Sequence, residues 1–371
     1  MQYCKVCVLP STRPNIRFDS EGNCNCARLE DKAKIDWSAR ERQFQTIVRA
    51  AKARNARYDC IIPVSGGKDS TWQIVQCLEY GLHPLAVTWC PPSRTDIGKK
   101  NLENLIQLGV DHIDFRINPI VEKKFLYRSF VKFGSTAVPM HMALFNIPLT
   151  LGLLFQMPLI VFGENSVYEY GGTEAVRDTH RINAEWLKKY GVTHGTTAED
   201  WIAPDLTRQD LTPYFGPSPE ELEKAGIEAI FLGHFFPWDP QTTLRVAKEH
   251  GFSERKEGPK TGYYNFADID DDFISIHHYL KWYKFGFTRL FDNLSLEIRH
   301  GRLSREAALK ILKETGEQFP REDIQRFCQF LEITPEHFFD IMERFRNHAI
   351  WKKREGRWEL ENFLIPDWSW H

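Results

Sequence analysis

Six consecutive residues, Ser-Gly-Gly-Lys-Asp-Ser from Ser65 to Ser70, combine the groups that bind a chain of phosphates. The hydroxyls of Ser65 and Ser70 can donate hydrogen bonds, and Lys68 supplies a positive charge. The carboxylate of Asp69 suits the Mg²⁺ ion that accompanies phosphates. We therefore predict a pyrophosphate site in which Lys68 and Asp69 take part directly in the reaction.

The elements around these six residues place them at the start of a helix. Residues 58–64 are largely apolar and predict a buried strand, and residues 72–80 have helical character. Between them, Gly66 and Gly67 allow a tight turn, which Thr71 follows. Unpaired backbone N–H groups and the positive end of the helix dipole converge at such a turn, and together they attract an anion.

The spacing of this segment matches neither G-x-x-x-x-G-K-[ST] nor G-x-G-x-x-G. It resembles instead the pyrophosphate loop (PP-loop) of the N-type ATP pyrophosphatases. That resemblance implies an adenine nucleotide alpha-hydrolase-like fold and cleavage of ATP between its α and β phosphates, with a substrate oxygen activated as an adenylate. It also implies that Thr88, Trp89 and Cys90, at the end of the next strand, face adenine. An ordinary Ser/Gly-rich turn, with Trp89 in the core, is the alternative.

Further strand and helix patterns alternate along the chain. Residues 84–90 and 111–116 predict strands, residues 98–108 predict a helix, and Pro119 opens another helix. This alternation predicts an α/β fold with a doubly wound, mainly parallel sheet. Ligands of such sheets bind at the carboxyl ends of the strands, which is where the PP-loop falls.

Four cysteines near the N-terminus form two close pairs, Cys4 with Cys7 and Cys24 with Cys26. Four thiolates in two pairs suit a tetrahedral Zn²⁺ site, and a site with four protein ligands leaves no position open for catalysis. We therefore expect a structural zinc knuckle. An iron–sulfur cluster and reduced surface cysteines without a metal are the alternatives.

A core strand predicted over residues 158–163 ends in four more candidate residues, Gly163, Glu164, Asn165 and Ser166. The strand would deliver them to the same sheet edge as the PP-loop. Their acid and amide groups suit metal binding, or holding a polar substrate over the α-phosphate. An ordinary loop with helix-capping residues is the alternative.

Charged residues of both signs mark the C-terminal part. A helix predicted over residues 273–285 is preceded by acids that would either bind Mg²⁺ or only balance the helix dipole. These acids are Asp268, Asp270, Asp271 and Asp272. Lys281, Lys284 and Arg289 are candidates for binding phosphates of ATP or of a nucleotide sugar, and a solvated basic face is the alternative.

Three parts are predicted along the chain. Residues 1–35 form the cysteine-rich knuckle, residues 36–255 the PP-loop domain, and residues 256–371 a mainly helical C-terminal region. Within the second part, residues 177–228 are irregular, charged and interrupted by prolines. Long inserts of this kind predict a lid or a binding loop.

The composition limits the function classes. A chain of 371 residues with 42% hydrophobic and 26% charged residues is typical of a globular protein with one large domain and smaller modules. The formal net charge of −2 argues against a nucleic-acid partner. No apolar signal segment follows Met1, and prolines and polar residues interrupt residues 144–162, so we expect a cytoplasmic protein without a membrane span.

Several motifs together narrow the resemblance. The paired cysteines, SGGKDST, the turn at 163–166, HYLKWYKFG at 278–286 running into Arg289, and RHGR at 299–302 resemble the N-acetyl sugar amidotransferases of surface-polysaccharide synthesis, such as that of the LPS O-antigen. This family implies an ATP-dependent C–N ligase that converts the acetamido group of a sugar, usually nucleotide-linked, to an acetamidino group. It implies an O-adenylated imidate as intermediate. Its ammonia is implied to come from a glutaminase of the imidazole-glycerol-phosphate-synthase type, with the cyclase-like companion as a conduit.

Two other function classes are alternatives. A PP-loop tRNA-modifying thiolase or ligase would need a basic surface and usually a working cysteine, and Cys60, Cys77 and Cys90 lie on or beside predicted core elements. A catalytically silent scaffold of a polysaccharide complex conflicts with the intact PP-loop. We expect ATP, Mg²⁺ and structural Zn²⁺ as ligands, and a homo-oligomer is compatible with each interpretation.

Overall fold

A five-stranded parallel sheet forms the centre of the computed structural model, which describes residues 1–172, 179–182 and 184–370. Its strands are β1 (Cys60–Pro63), β2 (Pro84–Trp89), β3 (Asp111–Phe115), β4 (Leu159–Phe162) and β5 (Glu228–Phe231). They run in the order β3-β2-β1-β4-β5, and each neighbouring pair is parallel. The strand order reverses between β1 and β4, and ligands of such sheets bind at this point, outside the carboxyl ends.

The α-helices of the described residues are given in chain order. They are α1 (Leu29–Ala33), α2 (Trp37–Ala53), α3 (Lys68–Glu79), α4 (Asp96–Ile106), α5 (Pro119–Phe133), α6 (Ala137–Leu154), α7 (Ser166–Tyr170), α8 (Ala184–Tyr190), α9 (Pro219–Ala225), α10 (Leu232–Phe235), α11 (Pro240–Glu249), α12 (Ile274–Phe285), α13 (Arg289–Arg299), α14 (Arg305–Thr315), α15 (Arg321–Leu331) and α16 (Pro335–Glu343). Short 3₁₀ helices cover Ala198–Trp201 and Thr212–Tyr214.

Helices cover both faces of the sheet, which confirms the predicted doubly wound α/β fold. Successive residues of a strand point to opposite faces. Ile61 of β1 packs in one hydrophobic cluster with residues of α5 and α6, and Ile62 packs in another with residues of α2 and α3. Both side chains are fully buried, and burial of each stabilises the fold by about 2 kcal/mol. The two clusters fix the strand ends that carry the candidate site.

Within the described residues, α6 is the helix that is long and apolar enough to cross a membrane. Half of it is buried, and it packs against β1, β2 and β4. The sequence placed a buried helix here followed by a strand, and the structure has both, with Pro148 inside the helix. The helix begins at Ala137, earlier than the segment from Leu144 that the composition singled out.

The C-terminal region is mainly helical and also contains an antiparallel hairpin that the sequence analysis did not predict. Its strands are β6 (Trp351–Arg354) and β7 (Arg357–Leu360). The ring of Trp351 lies 5.2 Å from that of Trp282 on α12, centroid to centroid. The hydrophobic cluster of this region also includes Cys4 and Cys7. The N-terminal knuckle is therefore packed into the C-terminal core, while the domain boundaries stay a prediction.

The segment predicted as an irregular lid or binding loop contains short helices. In its described residues, α8, α9 and the two 3₁₀ helices are joined by loops. Arg177, at its start, lies outside the described residues. Val192 and His194 adopt φ values of 59° and 53°, in the left-handed region that β-branched residues such as valine rarely occupy. Strained residues of this kind cluster at binding sites.

Candidate active site

The PP-loop makes its turn at Gly66, which only glycine fits. Its φ is +85°, and a Cβ atom there would lie 2.6 Å from the backbone nitrogen of Leu102. Helix α3 begins immediately after the turn, at Lys68. The first-turn amides of Lys68, Asp69 and Ser70 have no acceptor within their own helix. These amides and the helix dipole create the predicted anion site.

Hydrogen bonds inside the loop hold its hydroxyls in place. Ser65 donates its backbone N–H to Ser70 Oγ (3.0 Å), and Gly67 donates its N–H to Ser65 Oγ (3.2 Å). Because Ser70 Oγ accepts in the first of these bonds, its own proton remains available for a phosphate oxygen, while the Ser65 hydroxyl also interacts with the carboxylate of Asp270. Thr71 differs, since its hydroxyl donates to the Gly67 carbonyl (3.2 Å) and so stabilises the first turn of the helix.

The two predicted catalytic residues form an ion pair in which Lys68 is buried and Asp69 is partly exposed. Lys68 Nζ lies 2.5 Å from Asp69 Oδ2, and Lys68 is 5% exposed. Trp238, which the sequence analysis missed, donates from Nε1 to Asp69 Oδ1 (3.0 Å). Lys68 Nζ also lies 5.6 Å from the centre of the Trp238 ring and 5.9 Å from that of Phe266. These aromatic faces stabilise the ammonium group and hold it beside the loop.

Carboxylates line the cavity beside the PP-loop. We call this space of about 190 Å³ the loop cavity; its acids are Asp69, Glu164, Asp268 and Asp270. Burial, with the negative charge of Asp69 added, raises the pKa of Glu164 to about 7. Burial also raises the pKa of Asp270 to about 6, and Asp268 adds to the shift. Closely spaced carboxylates that resist ionisation are stabilised by a cation.

These acids fit Mg²⁺ in the presence of phosphates. Mg²⁺ in phosphate sites takes one or two carboxylates, phosphate oxygens and water. Asp69 lies at the start of the helix after β1 and Glu164 follows β4, and both line the loop cavity, where they offer such ligands. Among the described residues, a compact group of three metal-ligating side chains occurs at the cysteines instead. The loop cavity is thus suited to an ion that phosphate helps to hold.

The acidic segment before α12 is held against helix α4. Thr95 donates its N–H to the Asp270 carbonyl (3.0 Å) and its hydroxyl to the Ile269 carbonyl (2.5 Å). Gly98 approaches so closely that a Cβ there would lie 2.6 Å from Asp270 Cα. Asp272 faces away and pairs with Lys260 (2.5 Å).

Two roles were considered for the acids of this segment, binding Mg²⁺ and balancing the helix dipole. In the structure these roles fall to different residues. Asp268 and Asp270 line the loop cavity. Asp271 lines the central cavity and accepts a hydrogen bond from the Phe273 N–H (3.1 Å), and its place just before the start of the helix suits the helix dipole.

A larger space of about 490 Å³, the central cavity, adjoins the loop cavity and shares Ser65, Asp69, Glu164 and Arg289 with it. It is also lined by Gly163, which confirms that the ends of β1 and β4 meet.

Two of the three predicted adenine-side residues, Thr88 and Trp89, lie in the wall of the central cavity as well. Thr88 Oγ1 is bonded to His112 Nε2 (2.8 Å), and Trp89 donates from Nε1 to Glu122 (3.0 Å). Cys90 is buried beside them. Both side chains thus have structural partners, and their contact with adenine stays a prediction.

The predicted site residues that follow β4 do not all line the same cavity. Asn165 is the N-cap of α7, where its Oδ1 accepts from the Val167 N–H (3.1 Å). Ser166 lies in the wall of a third cavity, as does Lys284, whose Nζ donates to the Gly134 carbonyl (2.8 Å). Arg289 lines the loop and central cavities and pairs with Asp268 (3.1 Å). Of the residues predicted to bind substrate or Mg²⁺, only some therefore line a cavity together with the PP-loop.

The N-terminal cysteines come together as the spacing predicted. The sulfurs of Cys4, Cys7 and Cys24 lie within 4.8 Å of one another, and those of Cys7 and Cys24 are 3.6 Å apart. The backbone N–H groups of Cys7 and Cys24 donate to Cys4 Sγ at 3.4 and 3.2 Å. Cys26 is buried beside them, and its interaction with Cys24 lowers the pKa of Cys26 to about 6. This donor set fits a closed thiolate site for Zn²⁺.

Comparison with known families gives a match in the C-terminal region. Residues 260–364 match the family described as "LPS biosynthesis protein WbpG-like, C-terminal domain". Because of this similarity we refer to residues 260–364 as the WbpG-like domain. This match confirms the predicted relationship to proteins of surface-polysaccharide synthesis. No curated protein matches the chain significantly.

Solved structures with a detectable similarity include NMN synthetase from Francisella tularensis, at 13% identity and a TM-score of 0.33, covering 72% of this chain and 94% of that one. A predicted subunit of tRNA methyltransferase from Methanocaldococcus jannaschii aligns at 14% identity and a TM-score of 0.26, covering 51% of this chain and 75% of that one. At these scores the similarities do not bear on substrate or reaction.

The WbpG-like domain supplies one side of the candidate site. Its residues Asp268, Asp270 and Arg289 line the loop cavity opposite the PP-loop. Its helix α12 contributes Lys281 to the central cavity. The α/β part therefore contributes the PP-loop, and the WbpG-like domain contributes acidic and basic side chains to the same cavities.

Proposed function

We propose that the protein is an ATP-dependent amidotransferase that converts the acetamido group of a sugar, linked to a nucleotide as the resemblance implies, into an acetamidino group for LPS or another surface glycan. One observation carries the proposal. The PP-loop faces a shared cavity whose far wall belongs to a WbpG-like domain of LPS biosynthesis proteins. The PP-loop, which would bind ATP, and a domain similar to one of LPS biosynthesis proteins thus line the same cavity.

The chemistry follows from the weakness of an amide as an electrophile. The amide oxygen attacks the α-phosphorus of ATP, the bond to the β-phosphate breaks, and pyrophosphate leaves. Ammonia then adds to the carbon of the O-adenylated imidate, loses a proton, and AMP departs with the former amide oxygen. The product is an amidine. Water would hydrolyse the imidate, so the reaction needs an enclosed site such as the central cavity.

The residues of the loop cavity have distinct roles in this proposal. The amides after Gly67, with the hydroxyls of Ser65 and Ser70, bind the departing pyrophosphate. Lys68 offsets its charge from the buried position beside Asp69. Asp69 and Glu164 hold Mg²⁺, which neutralises phosphate charge when it is bound. The protein thus contributes position and electrostatic stabilisation.

The ammonia source is proposed to be a separate glutaminase of the imidazole-glycerol-phosphate-synthase type, with its cyclase-like companion as a conduit. All eight cysteines of the chain are buried, so none is placed as an exposed glutaminase nucleophile. The same burial disfavours a tRNA thiolase, which usually needs an accessible cysteine. A cytoplasmic location, where ATP and nucleotide sugars are made available, belongs to this proposal.

The test is a coupled product analysis. The protein is incubated with ATP, Mg²⁺, ¹⁵N-ammonium chloride and a panel of acetamido nucleotide sugars, and the products are separated for mass spectrometry. We expect AMP and pyrophosphate in equal amounts, and a sugar in which =¹⁵NH replaces the carbonyl oxygen. Without ammonium, the amidine should be absent.

Two results would contradict the proposal. The first is AMP formation that requires tRNA and ignores every sugar, which would favour the tRNA-modifying alternative. The second is the absence of AMP and pyrophosphate with all sugars while ATP still binds, which would favour a silent scaffold.

A further inference from the structure

A third space, the cationic cavity, lies beside the central cavity and measures about 470 Å³. Basic side chains line it, and no acidic side chain occurs among the described residues that line it. The basic residues are Arg13, Lys189, Lys281 and Lys284, with the imidazoles of His194 and His277. Phe285 and Phe287 add apolar surface. A concave, positively charged space of this size is suited to an anionic small molecule.

One face of helix α12 supplies the centre of this cavity. His277, Lys281 and Lys284 are spaced by four and three residues, so they lie side by side on the helix. His277 Nδ1 is buried and has no hydrogen-bond partner within the structure. Burial, and then the charge of Lys281, lowers the pKa of Lys284 to about 8. The ammonium groups of Lys281 and Lys284 repel each other, and an anion bound between them would relieve this repulsion.

The carboxylate of Asp292 does not neutralise the positive charge of the cationic cavity. Asp292 is buried and binds both Arg13 (2.8 Å) and Lys281 (3.3 Å). One carboxylate therefore serves two cations. Lys284 donates only to backbone carbonyls, those of Phe133 and Gly134. The surplus positive charge is thus largest at Lys284 and at Lys189, which is exposed at the rim.

The cationic cavity and the central cavity share a wall made of Val192, His277 and Lys281. On the far side of that wall, the central cavity reaches Ser65 and Asp69 of the PP-loop. A substrate held in the cationic cavity by its anionic part can therefore extend its other end toward the phosphates of ATP.

We infer that the cationic cavity binds the diphosphate of a glycosyl diphosphate, and thereby directs the sugar past His277 into the central cavity. The inference rests on the proposed function and assigns the residues that hold the acceptor. A diphosphate diester carries two negative charges in a short span, which matches cations spread along one helix face. The remainder of the molecule can be a nucleoside or a polyprenyl chain, since both are joined to sugars through the same diphosphate.

The test measures binding without chemistry. The protein is first saturated with Mg²⁺ and α,β-methylene-ATP, which occupies the PP-loop and resists cleavage between the α and β phosphates. UDP, GDP, CDP and dTDP, and in a separate arm farnesyl diphosphate, are then titrated in by isothermal calorimetry. We expect one of these probes to bind, and Lys284→Met and Lys189→Met each to weaken its binding about tenfold, because each loses a charge-assisted hydrogen bond.

A matched control lies in the same helix as Lys189. Lys188 is its exposed neighbour and is not part of the cavity wall, so Lys188→Met should leave binding unchanged. Lys189→Met is also the safer variant, because Lys284 supports the carbonyls at the end of α5. A nucleoside diphosphate that binds identifies a nucleotide-linked acceptor, and farnesyl diphosphate identifies a lipid-linked one.

The inference is overturned if none of the probes binds to the saturated protein, or if Lys284→Met and Lys189→Met both bind as tightly as the unchanged protein. A failure of this cavity assignment can be distinguished experimentally from a failure of the proposed reaction. Amidine formed on a free acetamido sugar without binding of any diphosphate would keep the reaction and reject the cavity assignment. Lysine-dependent binding without any amidine product would keep the cavity and reject the reaction.

Discussion

The loop cavity and the cationic cavity have opposite charge although the central cavity adjoins both. Four carboxylates surround the loop cavity, with Lys68 and Arg289 as its cations. The cationic cavity is lined by basic side chains, and among the described residues no acid lines it. The acid-lined space suits a metal ion together with phosphates, while the cationic space suits an anion that brings no metal.

The two cavities also differ in the parts of the chain that build them. The loop cavity joins the end of β1 to the acidic segment of the WbpG-like domain. The cationic cavity joins Arg13 of the N-terminal knuckle, the loop after α8 and the face of α12. Activation of ATP is thus proposed for the loop cavity and choice of the acceptor for the cationic cavity. Both cavities use the WbpG-like domain, but different segments of it, so the two sets of residues should respond to mutation independently.

The largest effect is expected from the acids of the loop cavity. Asp270→Asn should lower the rate of AMP formation by about 10²–10³-fold, since it removes a negative charge from the cavity in which Asp69 and Glu164 are proposed to hold Mg²⁺. Asp69→Asn should do the same and also break the ion pair with Lys68. AMP release measured by chromatography at saturating Mg²⁺ checks both.

A control for this effect is two residues away. Asp272→Asn alters an acid that pairs with Lys260 outside the loop cavity, so AMP formation per folded protein should stay near that of the unchanged chain. Equal losses in Asp270→Asn and Asp272→Asn would remove the distinction between an acid of the cavity and an acid of the surrounding structure.

A smaller loss is expected when the turn of the PP-loop is forced to move. Gly66→Ala places a Cβ at φ +85° and 2.6 Å from Leu102, which should cost about 1–2 kcal/mol from the backbone conformation alone. Because the clash displaces the phosphate-binding amides, AMP formation should fall about 10²-fold. Binding of diphosphates to the cationic cavity should be unchanged.

Gly109→Ala is the matched variant for Gly66→Ala. Gly109 has φ +94° but no atom within 4 Å of the added Cβ, so it tests strain without a clash. Chemical denaturation should show a loss of stability in both proteins, larger in Gly66→Ala because of the clash, while activity falls only in Gly66→Ala. If Gly109→Ala loses as much activity, general destabilisation and not loop geometry is the cause.

The pH dependence of the loop cavity provides an intermediate test. Glu164 has a pKa of about 7 in the folded protein against an ordinary value of 4.5, so the folded state binds more protons than the unfolded state between these values. Stability of the metal-free protein should therefore decrease as pH rises from 4.5 to 7. Calorimetry in EDTA should show Tm falling by a few °C over this window.

Mg²⁺ with α,β-methylene-ATP should reverse that trend, because a bound cation favours the ionised Glu164. Glu164→Gln removes the titration and should flatten the dependence of Tm on pH in EDTA. A profile that is the same with glutamate and glutamine would assign the dependence to another group.

The sequence predicted the parallel sheet and the PP-loop well because both depend on local patterns. An apolar strand, two glycines and a helix are adjacent in the chain, and they determine the anion site together. Trp238 was missed, and of the basic residues of the cationic cavity the sequence analysis named only Lys281 and Lys284, because both features arise from contacts between distant segments. Trp238 reaches Asp69 across 169 positions, and nothing in the local sequence around either residue indicates that pairing.

The residues after β4 show a second limit of prediction. The four consecutive residues from Gly163 to Ser166 were predicted to lie together at one site, but the backbone changes direction where α7 begins. Gly163 and Glu164 face the central cavity, Asn165 caps the helix, and Ser166 faces the cationic cavity. A helix start distributes neighbouring side chains over different directions, so adjacency in sequence does not give a shared site there.

The smallest effect on ATP use is expected from the cysteine knuckle, which can distinguish the two cavities. Cys7→Ser should reduce bound zinc, measured by mass spectrometry of the metal, and lower Tm, because the knuckle packs into the C-terminal core. Cys328→Ser, at a buried cysteine outside the knuckle, is the control and should retain zinc.

The knuckle also positions Arg13, which lines the cationic cavity and binds Asp292. Arg299 ties the knuckle to α7 by donating to the carbonyls of Ala27 (2.7 Å) and Glu169 (3.0 Å). Cys7→Ser should therefore weaken the binding of the diphosphate probe several-fold while the KM for ATP stays nearly constant. If instead the KM for ATP rises and diphosphate binding is retained, the knuckle supports the loop cavity, and the assignment of separate structural units to the two substrates is wrong.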